Sequence, residues 1–208
     1  MIITDIVEIN IGRSKKKTAY KIYMDYEYVF LLYKQDIKEY QLEVDTEITL
    51  ELYDKIIEET VFRRAKQKAL AILKHMDRTE MEMYSKLNEA YYTDLIIKRT
   101  IENLKEYHYI DDRRYASNFI RLRKETLSKF FIKSKLIQKG INKDILEEII
   151  IIEYNLSEYD NDPEILAINK AILKRHKDIS NIDWEEKQKL IASLYRKGFD
   201  LDKIRRCL

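Results

Sequence analysis

Apolar and polar positions change their period once along this chain. Up to about residue 33 they alternate in twos: Val7, Ile9 and Ile11 stand between polar neighbours, then Tyr20, Ile22 and Met24, then Tyr28, Phe30 and Leu32. Side chains on an extended strand point to either face in turn, so this pattern predicts three strands. The basic loop Arg13–Lys17 and a turn at Asp25–Glu27 separate them, which gives a small antiparallel sheet. A short helix is expected around Gln35–Tyr40, and from about Thr49 onward the period is helical.

Within the helical part an internal repeat emerges when three segments are aligned on Leu87, Leu136 and Leu194. Four residues before each leucine stands an apolar residue, Met83, Ile132 or Leu190. Four after comes Tyr91, Gly140 or Gly198, then bulky Tyr92, Ile141 or Phe199, then the N-cap types Thr93, Asn142 and Asp200. An apolar residue returns four positions later as Ile97, Leu146 or Ile204. Apolar residues at i and i+4 face inward from one helix, glycine closes it in the left-handed conformation, and the cap opens the next. Tyr91 lacks the glycine advantage, so the first turn is expected to close differently or to bear strain.

Each copy follows a further helical segment: Thr49–His75 with Ala65, Ala69, Ile72 and Leu73 on one side, Asp111–Thr126 with Tyr115, Phe119 and Leu122 inward, and Glu164–Lys177 with Ile165, Ile168 and Ile172. The last follows an acidic linker, Glu153–Pro163. The fold expected is mainly α, an elongated curved array of three tandem three-helix repeats behind a small N-terminal antiparallel β-sheet. Its divisions are residues 1–48 for the sheet and short helix, 49–106, 107–152 and 153–208 for the repeats.

Composition narrows the chemistry. In 208 residues there are three Gly, one Pro and one Cys, Cys207, which excludes an internal disulfide and a cysteine-based zinc site. The longest aliphatic run, Ile149–Ile152, is too short to span a bilayer, and the N-terminus lacks a secretory signal pattern, so a cytoplasmic protein without membrane attachment is expected. No phosphate-binding loop occurs among isolated Gly12, Gly140 and Gly198, and His75, His108 and His176 have no ligand spacing. Asp111 and Asp112 precede a helix and are better explained as N-cap and dipole partners than as a metal pair. No nucleophile elbow is present, and neither enzyme activity nor a cofactor is expected. Most of the sixteen tyrosines, Tyr20, Tyr28, Tyr92 and Tyr115 among them, fall on inward positions, and Trp184 reads as a packing anchor; Tyr84, Tyr107 and Tyr109 fit no face.

Charge is unevenly placed. The chain is +2 overall, yet residues 113–143 carry ten cations, Arg113, Arg114, Arg121, Arg123, Lys124, Lys129, Lys133, Lys135, Lys139 and Lys143, against one acid, Glu125. The N-terminal part is −3, with seven basic and ten acidic residues over 1–53, and the flanking repeats are nearly balanced, eleven and ten over 54–106 and eleven and eleven over 153–208. Such a cluster is either a solvated helix face or a surface that attracts a polyanion. Arg113, Arg114, Arg121 and Lys124 share a face opposite Tyr115, Phe119 and Leu122, while Lys129, Lys133, Lys135 and Lys139 flank Ile132 and Leu136, so one continuous basic surface is expected.

The run KEYHYIDDRRYASNFIRLR followed by IKSKLIQKGI resembles the RecX regulatory proteins. Leu104, Lys105, Tyr109, Ile110, Asp111, Asp112, Tyr115 and Ala116 match that family's hallmark, as do Lys139, Gly140 and Ile141 at its K-G-[IF] corner. His108 stands where the family has Gly, which suggests a differently shaped helix end, and DYEYVF resembles its N-terminal extension with Tyr26 in place of a turn Gly. The resemblance implies a monomeric modulator of the RecA recombinase in homologous recombination, DNA repair and the SOS response. It would lie along the RecA–single-stranded DNA filament and inhibit RecA ATPase, strand exchange and filament growth. Catalytic residues are not implied; the ten cations are the candidate contacts to RecA or to single-stranded DNA. The alternative is a direct DNA binder or transcriptional regulator that uses the basic second repeat.

Overall fold

A computed structural model of the chain describes residues 1–12, 17–155, 162–175 and 182–208, with the backbone alone at Asn155. Most of the expected basic loop (Arg13 to Lys16), the linker interior 156–161, and His176 with Lys177 lie outside the described residues. Contacts divide the chain into two compact units, Met1–Ile110 and Asp111–Leu208.

The first unit opens with the antiparallel sheet β1 (Ile3–Ile11), β2 (Lys17–Met24) and β3 (Glu27–Leu32), in that spatial order. Ile6 pairs with Ile22 and Tyr20 with Leu32, and bulges interrupt both ladders near one end. Asp25 and Tyr26 join β2 to β3 with φ of 49° and 69°. Two successive left-handed residues match the twist of a two-residue hairpin, and Tyr26 therefore occupies a glycine-like conformation without glycine.

α1 (Lys34–Glu39) follows as expected. Its buried Asp36 accepts from the Tyr33 amide at 2.7 Å and from Arg64 Nη2 at 2.7 Å, which pins α1 to a helix twenty-eight residues away. The following helical run divides into α2 (Leu50–Lys55), a π-helical turn (Ile56–Phe62) and α3 (Arg63–Leu73). Its buried positions show why: Ile56 to Val61 is a step of five, whereas Val61, Ala65 and Ala69 advance by fours. One extra residue per turn keeps both halves facing the core. α4 (Glu80–Asn88) and α5 (Asp94–Glu106) complete this unit. The sheet does not stand apart, since Ile3, Ile22, Phe30 and Leu32 share one core with Ile56, Val61, Ala65 and Ile96.

The second unit contains α6 (Asp112–Arg123), α7 (Lys129–Gln138), α8 (Lys143–Asn155), α9 (Pro163–Leu173), α10 (Trp184–Arg196) and α11 (Leu201–Arg206). Two apolar clusters fill it, one around Ile120, Ile132 and Leu136, the other around Ile168, Leu190 and Leu194. They are joined by polar contacts: the Ser128 hydroxyl donates to the Lys197 carbonyl at 2.6 Å, and the Lys129 amide donates to Glu164 at 3.1 Å. Lys203 then holds Asp162 at 2.7 Å and Glu164 at 2.9 Å.

The triplicated pattern is real in three dimensions. Met83, Ile132 and Leu190, the three leucines, and Ile97, Leu146 and Ile204 are all buried, and Tyr92, Ile141 and Phe199 plug their corners. Gly140 and Gly198 have φ of 87° and 81°, and Tyr91 adopts the same left-handed conformation at 66°. The first turn thus bears strain and does not change shape. His108, at φ 56°, also keeps a glycine-like helix end, contrary to the expectation of a different one.

Candidate interaction surface

The basic segment is built on α6 and α7, each opened by an N-cap. Asp111 accepts from the Arg114 amide at 2.9 Å, and Ser128 accepts from the Phe131 amide at 3.2 Å. Ala116 and Ile120 form the buried stripe of α6, flanked by half-buried Tyr115 and Phe119. Leu122 does not belong to it: it is 78% exposed. The true stripe runs one step off the aromatic one, because small Ala116 permits close approach of α8 while the two rings lie along its edge.

α8 changes the electrostatics. It brings carboxylates back onto the cations of both preceding helices. Arg113 pairs with Glu148, and Lys133 with Glu147 at 2.6 Å. Arg121 Nε donates to both oxygens of Glu153, at 3.0 and 2.8 Å, and the Ser117 hydroxyl donates to the same carboxylate. Lys124 Nζ donates to the Glu153 main-chain carbonyl at 2.8 Å. Glu153 itself is only 2% exposed. Burial alone would raise its carboxyl pKa, but the hydrogen bonds from Arg121 and Ser117, with the charges of Arg121 and Lys124, outweigh burial and hold it below the usual carboxylate range. Glu153 is therefore the buried anchor of α6 on α8 and not part of an acidic linker, and α8 runs on to Asn155.

Of the remaining candidates, Lys129 lies over the Tyr154 ring at 5.0 Å, Lys135 over Phe131 at 5.4 Å and Lys139 over Tyr115 at 5.3 Å. Arg114 is exposed on the outer side of α6 with Asn118 and Leu122. Arg123 and Lys143 are exposed and form no ion pair among the described residues. The ten cations are thus divided: Arg113, Arg121, Lys124 and Lys133 bind α8, Lys129, Lys135 and Lys139 lie over aromatic rings, and Arg114, Arg123 and Lys143 are exposed. Counting α8, residues 111–155 hold ten basic and seven acidic residues, a net of +3. One signal for this lay in the pattern itself. Leu146, Ile149, Ile150 and Glu153 share a helical face, so Glu153 had to be a carboxylate on an apolar stripe.

The same surface is more apolar than its lysines suggest. On α7, Phe130 is 68% exposed, Phe131 40% and Ile137 41%, all on the side away from buried Ile132 and Leu136. Trp184 is also exposed, at 74%, so it is no packing anchor. Tyr107 and Tyr109 are exposed as well, while the Tyr84 hydroxyl donates to Asp94 at 2.5 Å. Among the described residues no helix is long and apolar enough to cross a membrane.

Comparison with known proteins places this architecture. The family model for the second three-helix domain of RecX matches residues 111–150, and that for the third matches 164–208. The chain is 33% identical to the regulatory protein RecX of Clostridium acetobutylicum, across 93% of this chain and 90% of that protein. The chain belongs to the RecX family. A second RecX relative, from Caldanaerobacter subterraneus, is 27% identical and is covered to 98% by the whole of this chain. Two solved RecX structures share the fold: one titled a regulatory protein RecX covers all of this chain with a TM-score of 0.64 at 21% identity, and RecX from Lactobacillus salivarius covers 70% at 0.58 and 25%.

Membership in the RecX family makes the mainly helical three-helix construction, behind a small antiparallel sheet, a shared property. The distribution of charge on α6–α8 is read from this chain's own residues.

Proposed function

We propose that this chain binds the RecA–single-stranded DNA filament and restrains RecA ATPase, strand exchange and filament growth, acting as a cytoplasmic monomer. The observation that carries this reading is the match, over nearly its whole length, to proteins named regulatory protein RecX. The exposed surface of α6 and α7 supports a protein-bound filament as the partner in preference to naked nucleic acid. Arg123, Lys135 and Lys143 supply positive charge, Phe130, Phe131 and Ile137 supply exposed apolar area of the kind that marks protein interfaces, and Lys135 over the Phe131 ring brings the two together.

Direct DNA binding through α6 and α7 is the competing reading. It is weakened by α8, whose carboxylates already occupy Arg113, Arg121 and Lys133. Co-sedimentation separates the two. With RecA filaments on single-stranded DNA at physiological salt, the chain is expected to pellet, and with protein-free DNA it is expected to stay in the supernatant. Equal retention by naked DNA, with steep loss on adding salt, would instead support the direct binder.

A further inference from the structure

A cleft of about 680 Å³ opens in the first unit, between one end of the sheet, the side of α3 and the turn that follows α4. Its size is that of a small-molecule site. Four cations reach it from three different elements: Lys17 from β2, Arg64 and Lys68 from α3, and Lys86 from α4. Among the described residues one carboxylate lines it, Glu89, which pairs with Lys86 at 2.8 Å across one helical turn. Arg64 is held by Asp36. Lys17 and Lys68, on facing elements, have no ion-pair partner among the described residues.

The rest of the lining is aromatic and aliphatic. Tyr33, Tyr91 and Tyr92 contribute rings, with Leu31 and Ile72 beside them. Arg64 already lies over the Tyr33 ring at 5.0 Å. Burial pushes the Tyr92 hydroxyl up to about 12, so it remains a protonated donor at any physiological pH. A ligand that satisfies these walls carries negative charge at one end and a flat ring at the other. Lysines beside aromatic rings suit a phosphate joined to a nucleobase, since every base has a face to stack and phosphate is the anion lysine binds as a point charge.

We propose that this cleft is a nucleotide-binding site, in which Lys17 and Lys68 hold the phosphates and the tyrosine-lined wall takes the base. Neither the α6–α8 surface nor the RecA-directed reading enters this argument. The nucleotide can be free in solution or one residue of a single strand, and the chemistry of recognition is the same.

The test is isothermal titration of the full-length chain with ADP, inorganic pyrophosphate and a short oligothymidylate at low ionic strength. ADP is expected to bind at one site and more tightly than pyrophosphate, which lacks the base. Lys17→Ala and Lys68→Ala, both exposed, should each weaken ADP about tenfold, as expected for losing one charge-assisted contact. Lys189→Ala, on α10, should bind ADP as the wild type does. Displacement of ADP by the oligothymidylate would assign the site to a strand nucleotide, and its absence to the free nucleotide. The proposal is overturned if neither ADP nor the oligonucleotide binds, if pyrophosphate binds as tightly as ADP, or if both lysine variants bind ADP normally.

Discussion

The hydroxyl of Tyr28, on β3, donates a hydrogen bond to the main-chain carbonyl of Tyr91 in the turn between α4 and α5. Tyr91 holds the left-handed conformation that Gly140 and Gly198 hold in the other two copies, and Lys21 of β2 lies over its ring at 4.7 Å. The sheet therefore props up the one repeat turn that lacks glycine. Tyr28→Phe removes that hydrogen bond while keeping the ring, and should cost about 1 kcal/mol in urea unfolding. An unchanged midpoint would show that the prop contributes nothing.

Gly198 and Gly12 make a matched comparison. Both have positive φ, but an added Cβ at Gly12 meets nothing within 4 Å, whereas at Gly198 it would lie 2.7 Å from Phe130 Cδ1 and 3.1 Å from Ser128 Oγ. Gly12→Ala should cost only the left-handed strain, about 1 kcal/mol. Gly198→Ala should cost clearly more, because Ser128 is buried and committed to the Lys197 carbonyl. Similar thermal midpoints for the two variants would argue against a tight junction between the two clusters of the second unit.

How much of this was legible in the sequence varies by element. The repeat was, because Leu87, Leu136 and Leu194 with their partners at ±4 and the caps at Thr93, Asn142 and Asp200 combine a helical period with turn chemistry. The π turn at Ile56–Phe62 could be read only from the five-residue step between Ile56 and Val61. Leu122 falls on the helical face that Tyr115 and Phe119 define, and those rings lie at the edge of the buried stripe and not at its centre. The charge partners of the basic segment are hidden for a different reason. A count that stops at Lys143 cannot include Glu147, Glu148 and Glu153, and which cations they reach depends on how α8 folds back, not on nearness in sequence. The strain at Tyr91 is legible from its alignment with Gly140 and Gly198, whereas the glycine-like backbone at His108 is imposed by the surrounding structure against local preference.

Glu153 gives a pH dependence with a definite sign. Its folded pKa is lowered, so its ionised form favours the folded state. That contribution is fully present above the ordinary carboxylate pKa of about 4.3 and is lost as pH falls through the lower folded value. Glu153→Gln should lower the thermal midpoint at pH 7 by about 5 °C, and the gap from wild type should shrink toward acid pH. A gap that stays constant with pH would remove Glu153 from the linkage.

The carboxylates of α8 should restrain binding to naked DNA. Glu147→Gln with Glu148→Gln frees Lys133 and Arg113 from their present partners. Affinity for single-stranded DNA should rise, and the slope of log K against log salt should steepen by about 0.7 for each cation that then reaches a phosphate. Fluorescence anisotropy across a salt series reads this slope; no change would mean that neither cation faces the nucleic acid.

The most direct measurement is the single-stranded-DNA-dependent ATPase of RecA, titrated with this chain and with a variant carrying Arg123→Glu, Lys135→Glu and Lys143→Glu. These three side chains are exposed and hold no ion pair among the described residues, so the variant should keep the helical circular dichroism of the parent. The wild-type chain is expected to inhibit turnover, and the variant to need about tenfold more protein for the same inhibition. No inhibition by the wild-type chain, with no retention on the filament, would contradict a RecA-directed role.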